Sequence, residues 1–385
     1  MGDLGRELTR IRPGPNNMGN DPAKWLAAYT AEDGWHRADS VHRRLEAWVA
    51  QMDDEPEAEL ALAVVRQGHE YLLRAMVDGF AKALMASGWT VPGVLHQPRI
   101  YPDVVQSMGA RVAYFFVDAM RYEMGVELAR QIEGAKDLRV QAAIAALPSI
   151  TPVGMAALLP GASASFDVVE AKGRLAARID GSDMPGLNER LKLLKAKVPD
   201  VVEMTLGKLL GTPSKKLAKD IGTASLVVVR SQEIDFAGEM DGDLLAHHVM
   251  ETVIGNLARA GKKLAAAGIE NFVITADHGH QFAVRKDDDM KTDNPGGATL
   301  DLHRRCWIGH GGSTPSGTVR VTGAELGYHT DLDFIFPSGL GVFKAGGGLS
   351  FHHGGFSLQE LAIPVISLRM AAGKPVEAPR GASPA

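Results

Sequence analysis

The chain has 385 residues, with 41 Lys and Arg against 46 Asp and Glu and a formal net charge of −5, a balance that gives no global attraction to nucleic acid. Its 45% apolar content can fill the core of one large α/β domain with a smaller appendage. No run approaches the roughly 18 continuous apolar residues of a membrane span, and Met1 to Glu7 lacks an apolar signal core, so a cytoplasmic chain with no membrane partner is expected. The single cysteine, Cys306, excludes an internal disulfide and a cysteine-based zinc cluster.

Residues 1–105 read as a helical N-terminal region and connector. Ala27–Ala31, Val41–Val49 and Glu57–Met85 carry apolar residues at spacings of three and four, interrupted by the acidic stretch from Asp53 to Glu57. Gly88–Gly93 and Gln97–Pro102 contain prolines that break helical periodicity and lead into a first strand. That strand is Val112–Val117, an apolar run rich in β-formers, and it delivers Asp118 where a helical pattern begins at Met120. By itself Asp118 reads equally as a helix cap.

Further on, Pro148-Ser-Ile-Thr-Pro152 precedes the helix-like run Val153–Leu159. Alone, Thr151 reads as an N-cap with Pro152 at the first helical position. Residues 161–223 then interrupt the sheet pattern with a base-rich stretch holding Arg190, Lys192, Lys195, Lys197, Lys208, Lys215, Lys216 and Lys219. Two readings stand there: a solvated helical face with Leu191, Leu193, Leu194 and Val198 turned inward, and a nucleic-acid-binding stretch, for which Phe166 is the only stacking aromatic.

The next β-run, Ala224–Val229, is followed by Asp235 and Glu239, four apart and on one face if helical. Phe272–Ala276 is a buried-strand pattern that presents Asp277 and His278 side by side, with Gly279 allowing a sharp turn directly after them. A carboxylate beside an imidazole is a mixed oxygen and nitrogen set that suits zinc or manganese. His303-Arg304-Arg305 is a second basic spot, in which Arg304 or Arg305 could clamp a phosphate or serve the fold, and Cys306 is expected to be a buried strand residue. Phe351-His352-His353-Gly354-Gly355 offers imidazoles on a glycine-loosened loop, and the Pro- and Ala-rich end, residues 371–385, is expected to be disordered. Asp118, Asp235, Asp277 and His353 could all lie outside the carboxyl ends of strands, where α/β sheets hold their ligands.

Taken in order, Asp118 in its Phe116–Glu123 context, Pro148–Pro160, Ser231–Glu239, Thr275–Gly279 and His353–Pro364 resemble the PglZ domain of the alkaline phosphatase superfamily, from about residue 110 to 370. The resemblance implies an alkaline phosphatase-like three-layer α/β/α sandwich with a mostly parallel sheet over residues 106–370, in which 161–223 is a cap-like insertion. It implies a metal-dependent phosphodiesterase or phosphatase of BREX-type bacterial phage defence, with a phosphoester substrate and a defence methyltransferase or ATPase as partner. One metal would be held by Asp118, Thr151, Asp277 and His278, the other by Asp235, Glu239 and His353. Thr151 would be the nucleophile, with Ser149 its competitor, and His352 could exchange with His353. Zinc is expected for the two divalent ions, with manganese or magnesium favoured somewhat because Glu239 stands where the superfamily often has His. A phosphomutase related to cofactor-independent phosphoglycerate mutase and a weakly active scaffold subunit remain the alternatives.

Overall fold

Four helices open the chain, in a computed structural model that describes residues 2–11, 18–49, 56–239, 243–282, 290–345 and 350–371. They are α1 (Gly2–Ile11), α2 (Pro22–Thr30), α3 (His36–Val49) and α4 (Pro56–Ala86). Helix α2 starts earlier than its apolar spacing predicts, because the Asp21 side chain accepts from Ala23 N and Pro22 occupies the first turn. The acidic interruption beginning at Asp53 lies, up to residue 55, outside the described residues, as does the tail from residue 372.

These helices share one hydrophobic core with the rest of the chain, Trp25, Met76 and Phe80 being continuous with the sheet residues Phe115 and Ile274. A buried ion cluster adds to the join. Arg43 of α3 donates from Nε and Nη2 to the two carboxylate oxygens of Glu123, at 2.9 Å each, and also pairs with Glu251, while Arg121 donates to Glu123 at 2.8 Å. Glu123 belongs to α5 (Tyr122–Gln131), which follows the first long strand.

The central sheet has seven strands. In chain order six of them are β1 (Leu95–His96), β2 (Val112–Val117), β3 (Ala135–Ile144), β7 (Val202–Thr205), β8 (Leu226–Ser231) and β9 (Asn271–Ala276). The seventh is Ala362–Met370, and the spatial order is β1, β3, Ala362–Met370, β9, β2, β8, β7. Ala362–Met370 pairs antiparallel with both β3 and β9, whereas the other pairings are parallel, so one strand runs against six. Every residue of β2 is buried, as expected of a parallel strand covered on both faces.

The intermediate labels belong to the insertion, where β4 (Asp167–Ala171), β5 (Arg174–Ile179) and β6 (Ser182–Met184) form a separate three-stranded antiparallel sheet. Helix α6 (Thr151–Ala157) precedes it with the short α7 (Ala162–Ser165), and α8 (Leu187–Lys197), α9 (Leu206–Leu210) and α10 (Lys215–Thr223) follow. The interval 161–223 is therefore not wholly an interruption of the sheet, since β7 within it forms the edge of the central sheet. Leu193 and Leu194 of α8 are buried as expected, while Leu191 and Val198 are half-buried against the core. After β8 come α11 (Glu233–Glu239) and α12 (Asp243–Ala266). A four-stranded antiparallel sheet from residues 298–337 completes the fold, with Cys306 buried just before its Trp307–His310 strand.

Candidate metal centre

Strand β2 lies between β8 and β9. β3, the next strand of the sheet in sequence, lies on the β9 side of β2, and the following β7 and β8 lie on its other side, a reversal of the kind at which α/β sheets open a crevice at strand carboxyl ends. Asp118 directly follows β2, Asp277 follows β9, and Asp235 sits on α11 just beyond β8. Beyond Asp118 the backbone turns through Ala119, whose φ of 61° is unusual for a residue with a side chain. That turn aims Ala119 N at Asp277 Oδ1, 3.1 Å away, and His280 Nδ1 donates back to Ala119 O at 2.7 Å.

Asp277 Oδ1 also accepts from His278 N at 2.9 Å, but Asp277 Oδ2 is buried with no hydrogen-bond partner. His278 Nδ1 lies 2.9 Å from Gly279 O and donates to it, so in the neutral ring Nε2 is the acceptor. That Nε2 is 3.4 Å from Asp277 Oδ2 and 3.7 Å from Asp118 Oδ1. Each of these three residues presents a ligand atom within 4.8 Å of the others.

Asp235, Glu239 and His353 form a second such group within the same limit. His353 Nδ1 donates to Ser149 O at 3.2 Å, so its Nε2 points bare toward Asp235 Oδ1, 3.5 Å away, an oxygen that has no hydrogen bond. The two groups are adjacent, because the rings of His278 and His353 stack at 4.3 Å with 11° between planes. His353, not His352, reaches Asp235; His352 lies in a short buried strand with Phe351 and pairs with Gln281.

Burial and mutual repulsion disfavour ionising these carboxyls together. Burial, followed by the neighbouring Asp277 and Asp235, holds the Asp118 carboxyl well above the usual range, and burial also raises Asp277. Asp235 is pushed up to about 6, chiefly by burial, with Glu239 and Asp277 adding to the rise against the opposing effect of His278. Burial beside His278 and His303 pushes the His353 imidazole well below its ordinary value, keeping it neutral, the form that binds a metal. Orphaned carboxylate oxygens and imidazoles with fixed tautomers fit an oxygen and nitrogen donor set for divalent ions.

Thr151 begins α6, and Ile150 holds the N-cap position, so the threonine hydroxyl does not cap the helix. Its Oγ1 instead lies 3.3 Å from Asp118 Oδ1 and 3.3 Å from His278 Nε2. The approach is close because position 154 is glycine. A Cβ there would come within 2.3 Å of Asp277 O. Ser149 is differently occupied: its buried hydroxyl donates to Gly355 O at 2.7 Å and accepts from Gly354 N at 3.1 Å, tying the histidine loop to the Thr151 segment.

Neither Arg304 nor Arg305, the two arginines that could clamp a phosphate or serve the fold, lines the cavity beside Thr151. Arg305 is buried, with Nε and Nη2 each 3.3 Å from a Glu360 oxygen and Nη1 donating to Gly339 O and Gly341 O at 3.0 and 2.5 Å. Its fork is engaged inside the fold, by a partner 55 residues downstream that no local pattern announces. Arg304 lines a separate cavity with Lys291 and Lys344. Arg190 on α8 lines a cavity with Thr151, Met155 and Phe116, to which Arg230 also contributes. The sequence signal of Arg190 is a charged residue on the helix face that also carries Leu187, Leu191 and Leu194.

The family described as the BREX system PglZ alkaline phosphatase-like domain matches residues 99–368. Among relatives, the alkaline phosphatase-like protein BrxZ of Escherichia coli O9:H4 (strain HS) is 29% identical over 305 residues, covering 73% of this chain and 33% of that protein. The alkaline phosphatase-like protein PglZ of Bacillus cereus (strain H3081.97) is 25% identical over 303 residues, covering 73% and 34%. The chain thus spans about a third of the length of the curated relatives it matches. Among solved structures, phosphonoacetate hydrolase from Sinorhizobium meliloti 1021 aligns with a TM-score of 0.43 at 11% identity, over 69% of this chain and 92% of that one. Human ectonucleotide pyrophosphatase/phosphodiesterase 5 aligns with a TM-score of 0.45 at 11% identity, over 68% and 88%.

Proposed function

Since this chain belongs to the PglZ family of BREX-system alkaline phosphatase-like domains, we propose that it is a metal-dependent phosphodiester hydrolase with Thr151 as nucleophile. The observation that carries the reading is the Thr151 hydroxyl, 3.3 Å from both Asp118 Oδ1 and His278 Nε2 and beside two adjoining ligand groups. Asp118, Thr151, Asp277 and His278 would hold one divalent ion and Asp235, Glu239 and His353 the other, zinc first and manganese or magnesium by virtue of the four carboxylates. Bound there, the ions would lower the hydroxyl pKa and neutralise charge on the attacking and leaving oxygens.

The chain's own residues do the rest. Gly154 lets α6 bring Thr151 against the end of β9, and the Ser149 bridge fixes the loop carrying His353 beside it. Thr151 Oγ1 donates an electron pair to phosphorus, its proton passing to solvent, and the bond from phosphorus to the leaving oxygen breaks with that pair on the oxygen, which then takes a proton. Water hydrolyses the phosphothreonine and restores the hydroxyl.

The proposed setting is BREX phage defence in the cytoplasm, with other defence proteins such as a methyltransferase or ATPase as partners. Among the described residues no helix is long and apolar enough to cross a membrane. The test joins elemental analysis of the purified chain to hydrolysis of bis(4-nitrophenyl) phosphate. Thr151→Ala should lower kcat by orders of magnitude, with the second metal retained, and Thr151→Ser should keep partial turnover. Wild-type turnover in Thr151→Ala would overturn the assignment of the nucleophile, and a chain that takes up no metal would overturn the whole reading.

A further inference from the structure

We infer that helix α8 builds a substrate subsite beside Thr151: Arg190 grips a non-bridging phosphoryl oxygen, and the apolar face around it walls a slot for the organic group of the ester. The inference rests on the phosphoester reading and adds to it the class of substrate, a phosphodiester carrying one flat or apolar organic group.

Four observations converge. Leu187, Arg190, Leu191 and Leu194 follow one another at spacings of three, one and three, share one face of α8, and line the same cavity as Thr151. Its walls are mostly apolar, which suits a flat or apolar organic group. Second, the basic residues of this helix divide by environment: Lys192 and Lys195 are exposed, while Arg190 is half-buried.

Third, the Arg190 guanidinium has no hydrogen bond or ion pair to any of the described residues, whereas Arg230 in the same cavity donates to Glu203 at 2.6 Å. A half-buried guanidinium without a partner is costly, and a bidentate anion would relieve it. Burial lowers the Arg190 pKa, and the charges of Asp277 and Asp118 oppose that drop, so the guanidinium sits within electrostatic reach of both candidate ligands. Fourth, charges balance in its favour. Asp118, Asp235, Glu239 and Asp277 would neutralise two divalent ions held there, and Arg190 would then leave a single positive charge, matched to the single negative charge of a diester.

The experiment measures binding of inorganic phosphate and of adenosine 5′-monophosphate to the metal-loaded chain by calorimetry, beside bis(4-nitrophenyl) phosphate kinetics. Arg190→Met should weaken both anions about tenfold or more and raise KM, with metal content unchanged, and Arg190→Lys should restore part of the loss. Leu187→Asn should weaken the nucleotide several-fold and leave inorganic phosphate unaffected. Equal affinities for wild type and Arg190→Met would overturn the grip, and equal losses of both anions in Leu187→Asn would overturn the slot. The outcomes separate the two readings. A chain without metal that still binds the nucleotide through Arg190 keeps the subsite and sinks the hydrolase; an active enzyme indifferent to Arg190 does the reverse; and a wild type that binds neither anion sinks both.

Discussion

Asp235→Asn should stabilise the protein when the metal is stripped and destabilise it when the metal is present. The Asp235 carboxyl is raised from 3.8 to about 6 in the fold, mainly by burial, so its ionisation is penalised there relative to the unfolded chain. A raised folded pKa contributes stability that is whole below about 3.8 and is lost as pH rises through about 6. Roughly two units at 1.36 kcal/mol each make the loss about 3 kcal/mol above that window. Asparagine has the same shape and no charge, so it escapes the penalty. His36, His42 and His280 titrate with the opposite sign, their folded values being lowered by burial, but both chains carry them and they cancel in the difference. The assay is urea unfolding of chelator-treated wild type and variant near pH 4 and near pH 7.5, repeated with zinc. The two should coincide near pH 4, the variant should be more stable by about 3 kcal/mol near pH 7.5, and zinc should reverse the order. A variant less stable than wild type without metal near pH 7.5 would refute the argument, because Asp235 would then owe its stability to a partner in the protein and not await a cation.

Gly154→Ala places a methyl group 2.3 Å from the Asp277 carbonyl oxygen, and backbone cannot yield as a side chain can. It should cost about 1–3 kcal/mol and reduce metal uptake and diester turnover together, read by urea midpoint, elemental analysis and kcat; a variant with wild-type values in all three would remove the packing of α6 on β9 from the account. Arg305→Ala leaves the buried Glu360 carboxylate without its cation and should lower stability by about 3–5 kcal/mol with or without metal. Arg304→Ala should change it far less, and equal melting of the two variants would show that the Glu360 pair carries no special weight.

The candidate ligand positions were legible where a β-run ends in a polar residue. Val112–Val117 and Phe272–Ala276 are largely apolar and end at once in Asp118 and Asp277, so strand and candidate ligand come from the same short stretch. Asp235 and Glu239 share one turn of α11, and their spacing alone places them on one face. What needed the fold was everything settled at long range. Strand β7 is four residues of mixed burial inside a base-rich stretch, too short to register a period. Ala362–Met370 gives no sign in its composition that it runs against its neighbours. Arg305 looked available because Glu360, its partner, belongs to a helix start whose capping box is a local matter of Ser357 and Glu360. Arg190 looked like one more surface base because the cavity it lines is closed by α6 and β2, far from it in sequence.

The reversed strand Ala362–Met370 also sets an order on biosynthesis. A ribosome releases Asp118, Thr151, Asp235 and Asp277 while the residues that join β3 to β9 are still unmade. Until they emerge, β1 and β3 have no hydrogen-bonded link to β9, β2, β8 and β7, and Thr151 hangs on the segment after β3, on the severed side. His353 and the glycines that clasp Ser149 arrive only just before the closing strand. In a nascent chain the candidate nucleophile and the candidate ligands after β2 and β9 therefore sit on parts of the chain that the sheet does not yet join, and truncation anywhere before this strand should leave the central sheet in two unjoined parts.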